Sequence, residues 1–278
     1  MAAAEPITAQ PAASSRPAVW LAAIALGIVL VSWLLNSPAG VLGKADAVGY
    51  AVCHRIDGRS FHIGNVQMPL CARCTGIYLG VLLGVALMTV AGRWRAGALS
   101  PMRVIAVLIL FIAIMGVDGV NSYLTLIPGM PHLYEPQNWL RLITGTLNGV
   151  AVSGLVFPMF NQTLWRQWED RPAIRNLREL GGVVVAAAAV ILMVLSDNPV
   201  VLYPLALLSV AGVILLLTMT NSMIFMLLTR TENKATNGRE TFVPLAAGLT
   251  MALAMIVLID VARYTFTGTW GGFVIPGA

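Results

Sequence analysis

Charge is what this sequence has least of. Only 10% of its 278 residues are Asp, Glu, Lys or Arg, and 58% are hydrophobic. A soluble domain carries about 25% charged residues, so the deficit excludes an ordinary soluble chain. The mean hydropathy of +0.82 points to an integral membrane protein. Cysteine and histidine are also scarce, three of each. An odd cysteine count leaves one thiol over from any pure disulfide framework. Several signatures are missing: Gly-x-x-x-x-Gly-Lys, His-Glu-x-x-His, Gly-x-Ser-x-Gly and Cys-x-x-Cys-His. Primary pumping, zincin proteolysis and covalent haem lose support accordingly. The net charge of +5 reflects basic loops of a polytopic chain and not a nucleic-acid surface.

What is there in quantity is apolar sequence. A membrane helix needs about 20 mainly apolar residues. Seven segments qualify: 18–35, 75–91, 104–123, 139–160, 181–196, 201–228 and 242–264. The expected fold is therefore an all-α polytopic bundle of about seven helices. Residues 1–17 are rich in Ala, Pro and Ser and read as a flexible tail. The run 18–35 is longer than a signal-peptide core and is preceded by one cation, Arg16, so it reads as the first span. The chain divides into this tail, a membrane region over 18–164 and a C-terminal three-helix region over 165–278.

Orientation follows from Lys and Arg. The loops after the second, fourth and sixth spans hold ten basic residues, among them Arg93, Arg95, Arg166, Arg171 and Arg230. The bias places the N-terminus in the cytoplasm. The C-terminus and the first loop, 36–74, then lie outside the prokaryotic cell membrane.

That first loop gathers all three cysteines and two of the three histidines. It reads Cys53-His54-Arg55, then Pro69-Leu70-Cys71-Ala72-Arg73-Cys74-Thr75-Gly76. Residues 41–52 suggest a short interfacial helix. Gly64-Asn65 between two short strand-like runs predicts a hairpin over 60–68. Such a hairpin carries Cys71 and Cys74 back towards Cys53 and His54, as in a zinc knuckle. Cys53, His54, Cys71 and Cys74 are the candidate metal ligands, with His62 and His132 as other choices for the fourth, and zinc is the expected metal. Two other readings stay open: a disulfide or redox pair, and free packing thiols. Arg55, Arg59 and Arg73 surround the sulfurs. Arg59 and Arg73 are candidates for an anion or lipid headgroup.

The string Cys53-His54, Arg59-Ser60-Phe61 and Pro69 through Gly80 (PLCARCTGIYLG) resembles the signature of a family of uncharacterised prokaryotic membrane proteins with a domain of unknown function. The resemblance continues at Gly116-Val117-Asp118-Gly119 and Arg141-Leu142-Ile143-Thr144-Gly145 and covers about residues 45–160. It implies a shared site and no established activity.

Ionisable residues inside spans are functional hypotheses by default. Asp118 and Arg141, at similar depth on consecutive helices, are expected to pair. They are also the catalytic candidates if the protein is an enzyme. Asp260 and Arg263, three residues apart, are expected to form a local structural ion pair. Two functions follow. One is an accessory or scaffold subunit, held in the bilayer among other membrane subunits, with a structural zinc-type clip. The other is an outer-leaflet enzyme, metal- or thiol-dependent, acting on a lipid or quinone-like substrate. Nothing in the sequence suggests nucleic acid as a partner, and the lack of a repeat speaks against a transporter.

Overall fold

The computed structural model describes residues 16–127 and 129–273. Within them lie eight α-helices, seven of which are long and apolar enough to cross a membrane. These seven are α1 (Arg16–Asn36), α3 (Ala72–Val90), α4 (Met102–Leu124), α5 (Asn138–Leu164), α6 (Leu177–Leu195), α7 (Pro199–Thr229) and α8 (Phe242–Thr267). The eighth, α2 (Gly40–Val52), is the short helix expected in the first loop. The all-α polytopic bundle is therefore the observed class. Of the expected tail, residues 1–15 lie outside the described residues. Arg16 and Pro17 already belong to α1, where a proline in the first turn removes no needed hydrogen bond.

Helix α6 begins at Leu177, a turn before its expected start. Arg178 and Glu179 argue against a span, yet they stand in its first turn. The Asn176 side chain caps the helix by accepting from Glu179 N at 3.0 Å. The Glu179 carboxylate takes two bonds from Arg93, each 2.7 Å.

The bundle is organised around α3 and α5, with α5 the most buried span. Gly76 and Gly80 of α3 face Gly145 and Gly149 of α5. A Cβ on Gly76 would run into Leu142 O, and one on Gly80 into Thr146 O. A Cβ on Gly145 would meet Arg73 O, and one on Gly149 Ile77 O. Where lipid replaces water, helices gain little from apolar burial against one another, so close backbone approach over small residues supplies the packing. Gly212 of α7 does the same against Tyr78 O on another side of α3. Helices α7 and α8 pack on α3, α1 and α2, so the C-terminal helices interleave with the N-terminal ones.

The two ends of the bundle differ. At one end, β1 (Ser60–Ile63) and β2 (Val66–Cys71) form the expected antiparallel hairpin, extended by three residues into the second cysteine. Its turn holds Gly64 at φ +61°, a conformation glycine adopts without strain. At the other end, β3 (Ala96–Ala98) and β4 (Glu169–Pro172) make a short parallel pair that the sequence patterns do not suggest. Asn161 holds it to α5 by donating to Ala96 O at 2.9 Å.

Candidate functional site

The hairpin brings the three cysteines together from three elements. Cys53 ends α2 in extended backbone, its N–H bonded to Gly49 O at 2.9 Å. Cys71 is the last residue of β2 and caps α3, and Cys74 stands in the first turn of α3. All three sulfurs lie within 4.8 Å of one another and the thiols are free. Cys53 and Cys71 are buried and Cys74 is half-buried. Leu70, Val210, Val213 and Ile256 pack around them, with Tyr78 and Trp270 at the edge.

The cluster favours one negative sulfur. Cys53 Sγ accepts backbone N–H groups from Cys71 at 3.4 Å and Arg55 at 3.5 Å. Hydrogen bonds from the Cys71 and Cys74 thiols are the main reason its own thiol ionises far more readily than usual. Donating to Cys53 pushes the Cys71 thiol up. Three convergent sulfurs with backbone donors at one of them are a donor set suited to a thiophilic cation.

His54 does not join them. No histidine nitrogen among the described residues stands with the three sulfurs. The backbone is extended at Cys53, so successive side chains point to opposite sides. Arg55 then turns the chain at φ +51°. His54 Nδ1 instead accepts the Ile56 N–H at 3.0 Å, which leaves the proton of a neutral ring on Nε2. Burial lowers its pKa and keeps it neutral. His62 turns to Asp57 at 2.9 Å and His132 to Glu135 at 2.9 Å.

Asp118 and Arg141 do not pair. Asp118 binds Arg73, with Nη2 at 2.5 Å and Nε at 3.1 Å from Oδ2. Tyr134 OH at 2.8 Å and Thr144 Oγ1 at 3.2 Å complete the carboxylate's partners. Arg141 sits a turn further out, beside Ser122. Its Nε and Nη2 reach Ser122 Oγ at 3.1 and 3.0 Å, and its Nη1 reaches Asn138 Oδ1 at 2.7 Å. Arg59 leans on the same hydroxyl at 3.5 Å and on Thr125 Oγ1 at 3.3 Å. Burial, then the charge of Arg73, lowers its pKa. Arg73 thus belongs to a polar network shared by α3, α4 and α5, and its charge is answered by Asp118.

The expected pair of Asp260 and Arg263 is also absent. Arg263 points its guanidinium at the end of α2, donating to Tyr50 O at 2.5 Å, Cys53 O at 2.7 Å and His54 O at 3.3 Å. It also stacks 4.0 Å from the centre of the Tyr50 ring. Orphan carbonyls at a helix C-terminus attract a cation, and here they hold it away from Asp260.

The segment after α8 seals the site. Phe273 N donates to His54 O at 2.9 Å, Trp270 packs on Tyr50 at 5.1 Å, and Gly272 lies so close to Arg55 O that no side chain fits. This return of residues 270–273 to the cysteine loop was not expected from the sequence. Its signals were Arg263 and the run Trp270-Gly271-Gly272.

Fold and site together define a polytopic membrane protein with a thiol cluster at one end of its bundle. Residues 53–155 match the family model described as "Predicted membrane protein (DUF2085)". An uncharacterised protein of Methanocaldococcus jannaschii is 32% identical over 125 residues, covering 44% of this chain and 72% of that relative. The chain belongs to this family of membrane proteins. The matched segment runs from Cys53 into α5, so it contains all three cysteines, Asp118 and Arg141. No solved structure matches the chain.

Proposed function

We propose that Cys53, Cys71 and Cys74 hold one zinc-type cation that clips α2, the hairpin and α3 together, in a protein that serves as an accessory or scaffold subunit among other membrane proteins. The observation that carries this reading is the convergence of three sulfurs from three separate elements within 4.8 Å. Zn–S bonds of about 2.3 Å in a tetrahedron require sulfurs about 3.8 Å apart, which this spacing accommodates. Three thiolates and a divalent cation carry one net negative charge. Arg263, bonded to Cys53 O, stands beside it, and the main-chain N–H of Arg55 donates to Cys53 Sγ. The apolar wrapping of the sulfurs by Leu70, Val210, Val213 and Ile256 suits a structural site better than an exposed reactive one. Helix α1 rests on α8 and leaves Trp20, Leu21, Ile24 and Ile28 uncovered, a face open to lipid or to another membrane helix. By the positive-inside rule, the basic loops at the opposite end support a cysteine end that faces outside the cell.

Elemental analysis of the purified protein tests the clip. About one zinc per chain is expected. A metal-free chain with a Cys71–Cys74 disulfide by mass spectrometry overturns it. For orientation, Asn65, exposed in the hairpin turn, should as Asn65→Cys react with an impermeant maleimide on intact cells.

One observation favours the enzyme reading as an alternative: among the described residues no fourth protein ligand accompanies the sulfurs. Catalytic zinc keeps such a position for water or substrate. Replacing zinc by cobalt separates the two. An absorption band that shifts with added azide marks an open position, and an unchanged band marks a closed clip.

A further inference from the structure

A cavity of about 520 Å³ lies between the ends of α1 and α8 nearest the cysteine loop. Its floor includes Trp33 and Asp260, only 9% and 5% exposed. Its rim includes Asn36 and Thr265, both exposed, so the space communicates with the surroundings of the bundle.

Asp260 is an anomaly there. Oδ1 is shut from solvent and has no hydrogen-bond partner, and no ion pair reaches the carboxyl group among the described residues. The cations of the neighbouring segments are committed elsewhere. Arg263 is spent on the carbonyls of Tyr50, Cys53 and His54. Lys44 Nζ caps α1 through Leu34 O and through Ser37 O and Oγ, the last two at 2.9 Å. A buried carboxylate without a partner is costly, and more so in a membrane helix. An aspartate kept only to fix helix register would have a partner in the protein.

The same cavity is lined by three aromatic rings, Trp33, Tyr264 and Trp270. Tyr264 and Trp270 lie 5.5 Å apart, and Trp270 is braced against Tyr50 at 5.1 Å. Electron-rich ring faces attract cations, most strongly where water is excluded. A carboxylate among such faces selects an organic ammonium over a hydrated metal ion. Trp33 Nε1–H, buried and also without a partner, adds one donor for an oxygen of the same molecule.

We propose that this cavity binds an organic ammonium group, carried either by the headgroup of an aminophospholipid or by a soluble amine. The site adjoins the thiol cluster through Trp270 and Trp33, but its carboxylate, Asp260, is not one of the residues proposed to hold the metal.

The test uses the full chain and native mass spectrometry after exchange into equal phosphatidylethanolamine and phosphatidylglycerol. Wild type should retain the ethanolamine lipid preferentially. Asp260→Asn should lose that preference by about tenfold, the scale of one charge-assisted contact. The variant removes an unpaired carboxylate and is expected to fold. Equal retention of the two lipids by wild type, with no rise in melting temperature on adding ethanolamine or choline, overturns the proposal whatever the variant does. A lipid preference without an effect of soluble amines assigns the headgroup. A melting-temperature rise with soluble amines, lost in Asp260→Asn, assigns the ammonium group itself.

Discussion

The two ends of this bundle both rely on arginine, but they answer its charge differently. At the end away from the cysteines, Arg93 meets both oxygens of Glu179 at 2.7 Å and also Ala173 O at 2.8 Å. Arg171 pairs with Glu169. Arg95 lies between Trp94 and Trp165, 4.5 and 4.3 Å from their rings. Among the described residues at the cysteine end, only Arg55 and Arg73 of the arginines have carboxylate partners, Asp46 and Asp118. Arg59, Arg141 and Arg263 reach neutral hydroxyls, an amide and main-chain carbonyls. The end away from the cysteines keeps the excess of basic residues, ten in its loops against five carboxylates, yet Arg93 and Arg171 there each meet a carboxylate. At the cysteine end basic and acidic residues balance in number, but Arg59, Arg141 and Arg263 stand near three sulfurs with no carboxylate in contact. That local contrast is the physical reason to place chemistry, or a metal, at the cysteine end and architecture at the other.

The contrast breaks most visibly at the sulfurs. Cys71→Ser should take bound zinc from about one per chain to near none. It should loosen α2 and the hairpin without unfolding α3 and α5, whose glycine seam does not involve the sulfurs. Metal analysis together with hydrogen exchange over residues 40–71 checks both parts. Exchange that rises equally across α5 would mean that the cluster is not a local clip.

Next in size is the Arg73–Asp118 pair. Asp118 is 1% exposed, so Arg73→Leu leaves a buried carboxylate without its cation. The cost should be about 3–5 kcal/mol. A double-mutant cycle sharpens the assignment. Coupling of Asp118 to Arg73 should exceed about 1 kcal/mol, and coupling to Arg141 should fall below about 0.5 kcal/mol. The reverse order would restore the pairing expected from sequence alone.

That mistaken pairing shows where sequence ran out. The seven spans, α2, the hairpin turn at Gly64-Asn65 and the gathering of Cys53, Cys71 and Cys74 were legible, because each is local pattern: apolar length, a turn dipeptide, close spacing. Asp118 and Arg141 were correctly placed at the same end, but partner choice depends on how each helix is rotated about its axis. The rotation of α3 is set by Gly76 and Gly80 pressing on α5, and it turns Arg73 towards Asp118. His54 was assigned by adjacency to Cys53, whereas extended backbone sends neighbours to opposite sides. Asp260 and Arg263 had suitable helical spacing, yet the open carbonyls at the end of α2, over 200 residues away in sequence, took the arginine.

At the opposite end the same kind of change should cost less. Arg93→Ala removes two charge-assisted bonds to Glu179, but that carboxylate is 30% exposed and water can replace the arginine. A loss of about 1–3 kcal/mol is expected, below that of Arg73→Leu. Denaturation in detergent or bicelles measures both on one scale.

The smallest effect should come from Arg171→Ala. Its side chain is 45% exposed and that of Glu169 38%, so each ion is already well hydrated and the pair gains little on forming. A change within about 0.5 kcal/mol is expected, and it should vanish in high salt. The three arginines then form a series in which cost follows the burial of the anion left behind and not the shortness of the contact. If Arg171→Ala proved as damaging as Arg73→Leu, burial would not be what separates the two ends, and the arginines without carboxylate partners near the sulfurs would lose their special meaning.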